Sequence, residues 1–229
     1  MALFAIGDTH LCLGADKPMD IFGGWQDYME RLEKNWIKIV NPDDTVVIPG
    51  DISWALKLTD AARDLAFLDS LPGTKIIGKG NHDYWWETLT KMNAFLEENE
   101  FQTIKFLFNN AYRVGDIAIC GSRGWFYDDD SELGEKVINR ECGRIKTSTD
   151  AAKELGGEPI LFLHYPPITQ DRVCDQIMDA IVQSGVKKCY YAHLHGNAIN
   201  YAFRGTYEGI KFDLISADSL EFVPKLIGK

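Results

Sequence analysis

The chain has only five histidines in 229 residues: His10, His82, His164, His193 and His195. Each follows a short apolar run and lies in a turn or loop marked by Gly or Pro. Asp8, Asp51 and Asn81 occupy the same kind of position. Imidazole nitrogen and carboxylate oxygen together suit zinc, iron and manganese. A carboxylate can join two metals where a neutral imidazole cannot, so one aspartate is expected to bridge. The set offers more ligands than one tetrahedral zinc accepts, which points to two ions. Such a pair, roughly 3.5–4 Å apart, lowers the pKa of a shared water and clamps a phosphoryl group. Asp8-Thr9-His10 and His193-Leu194-His195 share a spacing that lets both ligands reach one centre from extended or turn backbone.

The elements that must position these residues alternate along the chain. Apolar runs at residues 2–6, 45–48, 75–77, 103–108, 112–114, 117–120, 159–163 and 188–192 read as strands. Residues 25–40, 59–71, 86–98, 133–155 and 171–183 read as helices, with Thr59 as an expected N-cap. Beyond residue 197 the pattern suggests antiparallel strands with turns at Gly205 and Gly209. In open α/β sheets, sites form outside the carboxyl ends of strands. If the strands are parallel neighbours, the candidate ligands converge on one rim. The expected architecture is α/β, with sheets covered by helices, in a single domain spanning residues 1–229.

Composition narrows the function. The net charge is -10, which argues against general nucleic-acid binding or attachment to an anionic membrane. Five cysteines without zinc-knuckle spacing read as thiols of a reducing compartment. With no signal-like start and no run of ~18 apolar residues, the expected location is cytoplasmic.

At the residues that could do chemistry, the sequence resembles the calcineurin-like metallophosphoesterase superfamily. The motifs are Asp8-Thr9-His10, Gly50-Asp51, Gly80-Asn81-His82-Asp83, the isolated His164, and Ala192-His193-Leu194-His195. Ala192 stands where the family usually has glycine. The resemblance implies a double β-sandwich flanked by helices, in four αββα layers. It implies that Asp8, His10 and His195 bind one metal and Asn81, His164 and His193 the other, with Asp51 bridging. The ions would be manganese, iron or zinc, divalent or of mixed valence, with a metal-bridging hydroxide attacking phosphorus. His82 would protonate the leaving oxygen, and Asp83 would orient His82.

Several features compete with this reading. Residues 73–79 have phosphate-loop spacing, but Gly80 replaces the required Ser/Thr. Cys12 and the tryptophans Trp54, Trp85 and Trp86 read as packing, with base stacking as the rival for the tryptophans. Asp128-Asp129-Asp130 reads as a solvated loop. Residues 122–146 form either a substrate-selecting wall or a surface helix. As a wall, Arg123 and Trp125 would meet the substrate, while Arg140 and Arg144, one helical turn apart, would meet a second phosphate. As a surface helix, it would pair its arginines with Glu135 and Glu141. A small phosphorylated substrate is expected. A diester carries one negative charge and a monoester two, so an acidic chain with few cations near its metals matches the diester better. Phosphomonoesters (phosphoproteins included) and nucleotide pyrophosphates remain alternatives, as does a scaffold that binds metal without catalysis.

Overall fold

The computed structural model describes residues 1–125 and 132–229. Its elements run in the order β1 (Leu3–Ala5), α1 (Tyr28–Ile39), β2 (Thr45–Ile48), α2 (Ala62–Ser70), β3 (Thr74–Ile77), α3 (Leu89–Glu98), β4 (Ile104–Phe106) and β5 (Ala111–Val114). There follow β6 (Ile117–Ser122), α4 (Glu132–Leu155), β7 (Glu158–Leu163), α5 (Asp175–Ser184), β8 (Lys188–Tyr191), β9 (Gly205–Tyr207), β10 (Ile210–Leu214) and β11 (Lys225–Gly228). The first sheet has the order β11-β1-β2-β3-β4 and the second β5-β6-β7-β8-β10-β9.

Strands such as β1 and β2 are almost wholly apolar because both of their faces are buried. Successive side chains point to opposite faces, and the two faces pack into different cores. Leu3, Ala5 and Val47 face the second sheet, where they meet Ile119, Ile160 and Phe162. Phe4, Val46 and Ile48 face outward, onto Leu32 and Trp36 of α1 and Leu65 and Leu68 of α2. On the far side, α4 and α5 cover Leu161, Leu163 and Tyr191 with Ile138, Ile145, Ile177 and Ile181. The result is the four-layer arrangement the sequence implied.

Three sequence expectations change. The second helix begins at Ala62 without a side-chain cap, and the Thr59 hydroxyl instead donates to Asp60. Gly205 starts β9 rather than a turn, and β10 is antiparallel to β9 but parallel to β8. The ligand-bearing strands are also not all neighbours. β1, β2 and β3 are parallel in one sheet, and β7 and β8 are parallel in the other. Their carboxyl ends meet where Gly7, past β1, bridges Ser216, past β10. Among the described residues, no helix is long and apolar enough to cross a membrane.

Candidate metal centre

Both sheets deliver their polar residues to this shared edge. The loop after β1 brings Asp8 and His10, the loop after β2 brings Asp51, and the loop after β3 brings Asn81 and His82. β7 ends directly before His164, and β8 leads into His193 and His195. Asp8, His10, Asp51 and His164 are fully or almost fully buried. Ligand atoms of Asp8, His10 and Asp51 lie within 4.8 Å of one another, and so do those of Asp51, His164 and His193. Asp51 belongs to both groups. Its Oδ2 is 3.7 Å from His10 Nε2 and 3.5 Å from His164 Nε2. Asn81 Oδ1 lies 2.7 Å from His164 Nε2, and the His195 ring packs edge-on to His10 at 5.2 Å.

The backbone is bent to make this possible. Asp8, His10, Asp51 and His193 have φ of 54°, 44°, 51° and 73°. Each costs on the order of 1–3 kcal/mol and persists only where its surroundings over-determine it. Gly80 allows the closest approach, because a Cβ there would lie 2.1 Å from Asp51 Oδ1. At the seam between the sheets, a Cβ on Gly7 would lie 2.5 Å from the methyl carbon of Ala192. The two positions share the space of one small side chain, which accommodates alanine in the second sheet.

Asp83 does not orient His82. Its carboxylate accepts the backbone N–H groups of Asp51, Ile52, Ser53 and Gly80 and the indole N–H of Trp85. It is a positioning residue that ties the loop after β2 to the loop after β3. Residue types alone gave no signal of this, since a carboxylate's partners come from a fold not yet known. His82 instead has a buried Nδ1 without a hydrogen-bond partner, and its ring lies 4.4 Å from that of Trp54.

The donor set fits a divalent metal. His10 Nδ1 and Nε2, Asp51 Oδ2 and His164 Nδ1 are buried with no hydrogen-bond partner, although buried polar groups are normally satisfied. Burial pushes Asp51 upward, with the charges of Asp83 and Asp8 adding to it. Burial also raises Asp8, against the opposing hydrogen bond from the His193 backbone N–H. Burial holds His10 and His164 well below the usual histidine range, helped by neighbouring imidazoles. Carboxylates that resist ionising and imidazoles that resist protonation, side by side, are what a bound cation relieves.

Two pockets flank the ligands. One, of about 440 Å³, borders His82 and His195 and is walled by Met19, Phe22, Trp25 and Trp54. Trp54 is not free to stack on a base. One face lies on His10 at 4.8 Å, and the Lys17 ammonium sits 3.7 Å from the ring centre. Trp85 is buried in the core, and Trp86 packs in the core while also lining the second pocket.

The other pocket, of about 800 Å³, is lined by Lys79, Arg123, Arg140 and Arg144 together with Trp86 and Phe108. The two readings of residues 122–146 therefore coexist, because Arg144 lines this cleft and also pairs with Glu141 at 2.5 Å. Trp125 lies under the Arg123 guanidinium, 5.0 Å away, instead of in the cleft wall. Lys146 turns away to Asp150. Phe126 and the run Asp128-Asp129-Asp130 lie outside the described residues. Lys79 was missed in the sequence, where it is the last residue of a rejected phosphate-loop pattern. Burial lowers its pKa, with the charges of Arg123 and Arg144 adding to it. The expected shortage of cations near the metals is thus incorrect, because three distant segments supply them to one cleft.

The fold has solved counterparts. A protein of unknown function from Aquifex aeolicus superposes with a TM-score of 0.54 at 16% identity, over 98% of this chain and 95% of its own. Phosphopantetheinyl hydrolase from Mycobacterium tuberculosis superposes with a TM-score of 0.54 at 14% identity, over 99% of this chain and 95% of its own. No curated protein sequence matches the chain. The family model for calcineurin-like phosphoesterases matches residues 1–197. The chain therefore belongs to the calcineurin-like phosphoesterase family and is a metal-dependent hydrolase of phosphoric esters.

Proposed function

We propose that the protein binds two metal ions and hydrolyses small phosphodiesters. Asp8, His10 and His195 hold one ion, Asn81, His164 and His193 hold the other, and Asp51 joins them. The observation carrying this reading is the position of Asp51, whose unpartnered Oδ2 stands between His10 and His164. When bound, two such ions lower the pKa of a water between them and offset the charge of the phosphoryl group. His82, at the wall of the apolar pocket, gives a proton to the departing oxygen. Asp83 keeps Asp51 and Gly80 in register for that geometry.

Pocket shape supports the diester. A phosphodiester has two organic substituents, and the ligand row has a separate pocket at each end. The leaving group occupies the apolar pocket beside His82, and the retained group extends past Asn81 and His164 toward Lys79 and Arg123. Elemental analysis, with rates on bis-p-nitrophenyl phosphate and p-nitrophenyl phosphate in manganese, tests the reading. Two ions per chain and a preference for the diester are expected. One ion in a fully active protein, or a strong preference for the monoester, overturns it. Asp51→Asn should release both ions and cost more than the roughly 100-fold typical of losing an outer partner of a metal ligand.

A further inference from the structure

The cleft lined by Lys79, Arg123, Arg140 and Arg144 takes no part in the bond cleavage described above. It nevertheless adjoins the ligand row. Lys79 is two residues before Asn81, and the Arg123 carbonyl accepts the backbone N–H groups of His164 at 3.2 Å and Tyr165 at 2.8 Å. Its charge is opposite to the protein's net charge of -10.

Among the described residues, two carboxylates in its surroundings already have cations. Glu87 pairs with Lys91 at 3.2 Å. Glu141, fully buried, accepts from Arg144 and from the Ser122 hydroxyl at 2.6 Å. Lys79 and Arg123 form no ion pair among the described residues, and Arg123 Nε is buried without a hydrogen-bond partner. Aromatic rings support two of the guanidinium groups. Arg144 lies 4.9 Å from the Phe108 ring centre and Arg123 lies 5.0 Å from that of Trp125. Guanidinium groups held by aromatic faces keep a planar fork of donors suited to phosphate. Gathering Lys79, Arg123 and Arg140 beside the Glu141-paired Arg144 costs repulsion that a bound anion removes. The volume of about 800 Å³ exceeds what a single phosphoryl group requires.

We infer that this cleft is a second anion site for a phosphate group remote from the scissile one, so that the substrates are phosphodiesters whose retained alcohol carries a further phosphate. The inference rests on the diester reading above. Lys79 and Arg123 meet the phosphate nearest the ligand row, and Arg140 and Arg144 close over it from α4. In an acidic protein without such a site, an added phosphate weakens binding.

The test compares thymidine 3'-(p-nitrophenyl phosphate) with the same ester phosphorylated at its 5' hydroxyl. Both release p-nitrophenol and differ only in the distant phosphate. The wild type should favour the phosphorylated ester in kcat/KM by about 10- to 100-fold, the range of one or two charge-assisted hydrogen bonds. Replacing Arg140 and Arg144 together by alanine should bring that ratio close to one. A wild-type ratio at or below one overturns the inference, as does a ratio that survives in the folded double variant. Calorimetric titration of metal-stripped protein with inorganic pyrophosphate gives a readout independent of catalysis. Binding that the double variant weakens about tenfold or more supports the site, and no binding to the wild type overturns it. If neither ester is cleaved with manganese present, the diester reading fails, and the titration alone decides the anion site.

Discussion

The two walls of the site are built on opposite principles. The wall beside His82 and His195 is apolar, with Met19, Phe22, Trp25 and Trp54 drawn from the loops after β1 and β2. The wall beside Asn81 and His164 is cationic, drawn from the loop after β3, the end of β6 and one face of α4. The ligands between them contribute the same chemistry to any phosphoric ester. In the function proposed above, choice of substrate falls to the asymmetry of the walls. One side offers apolar surface and the other positive charge.

The change that should break both walls at once is Asp83→Ala. Asp83 holds the segment Asp51-Ile52-Ser53, which leads into Trp54 of the apolar wall, and also Gly80, which follows Lys79 of the cationic wall. Its removal leaves several buried N–H groups without acceptors, for an expected cost of ~3–5 kcal/mol. Thermal unfolding should show that loss, and elemental analysis should show depleted metal. A stable variant with full metal content contradicts the positioning role.

Next in size is His82→Ala. It should keep both ions and lower kcat by ~10²–10⁴-fold, as for other positioned acids, equally for esters that use either wall. Loss of metal, or an unchanged kcat, sinks the proton-donor assignment.

The residues that the two sheets bring to their shared edge were legible in the sequence because their signal is local. Gly80-Asn81-His82 and His193-Leu194-His195 each place residue types and their spacing within a few positions. Strands such as Thr45–Ile48 were legible for the same reason, since four successive buried apolar or β-branched residues permit little else. What stayed hidden depends on pairing across the chain. The partners of Asp83 lie up to 32 residues away. The cationic cleft joins Lys79 to Arg144, and β11 returns from the C-terminal end to flank β1. Such contacts belong to the fold, and no window of sequence contains them.

A smaller effect should separate the walls. Phe22→Ser removes an apolar side chain that is half exposed at 51%. It should raise KM for an aromatic leaving group by roughly five- to tenfold, in keeping with partial burial of one Phe. KM for a methyl leaving group on the same retained alcohol should not move. A shift shared by both leaving groups would falsify the assignment of this wall to the leaving group.

The least effect is expected at Lys146→Ala. Lys146 is on α4 two residues from Arg144, but it pairs with Asp150 on the exposed surface. An exposed i,i+4 pair contributes little to stability. Stability should change little, and the preference for the second phosphate should be unaltered. A changed preference would mean that the whole helix, not its inner face, sets the charge of the cleft.

The contact between Gly7 and Ala192 bears on how such a site can vary over time. Asp8 directly follows Gly7 and His193 directly follows Ala192, and the His193 N–H reaches the Asp8 carboxylate at 2.8 Å. The methyl of Ala192 thus works as a shim between the two sheets, setting how far apart their first ligands stand. A side chain added on the Gly7 side leaves no room for the shim. Exchange of the two residues keeps a single methyl in that space, so alanine is permitted at one position only where the other is glycine. The gap between the two halves of the centre is therefore inherited as a pair.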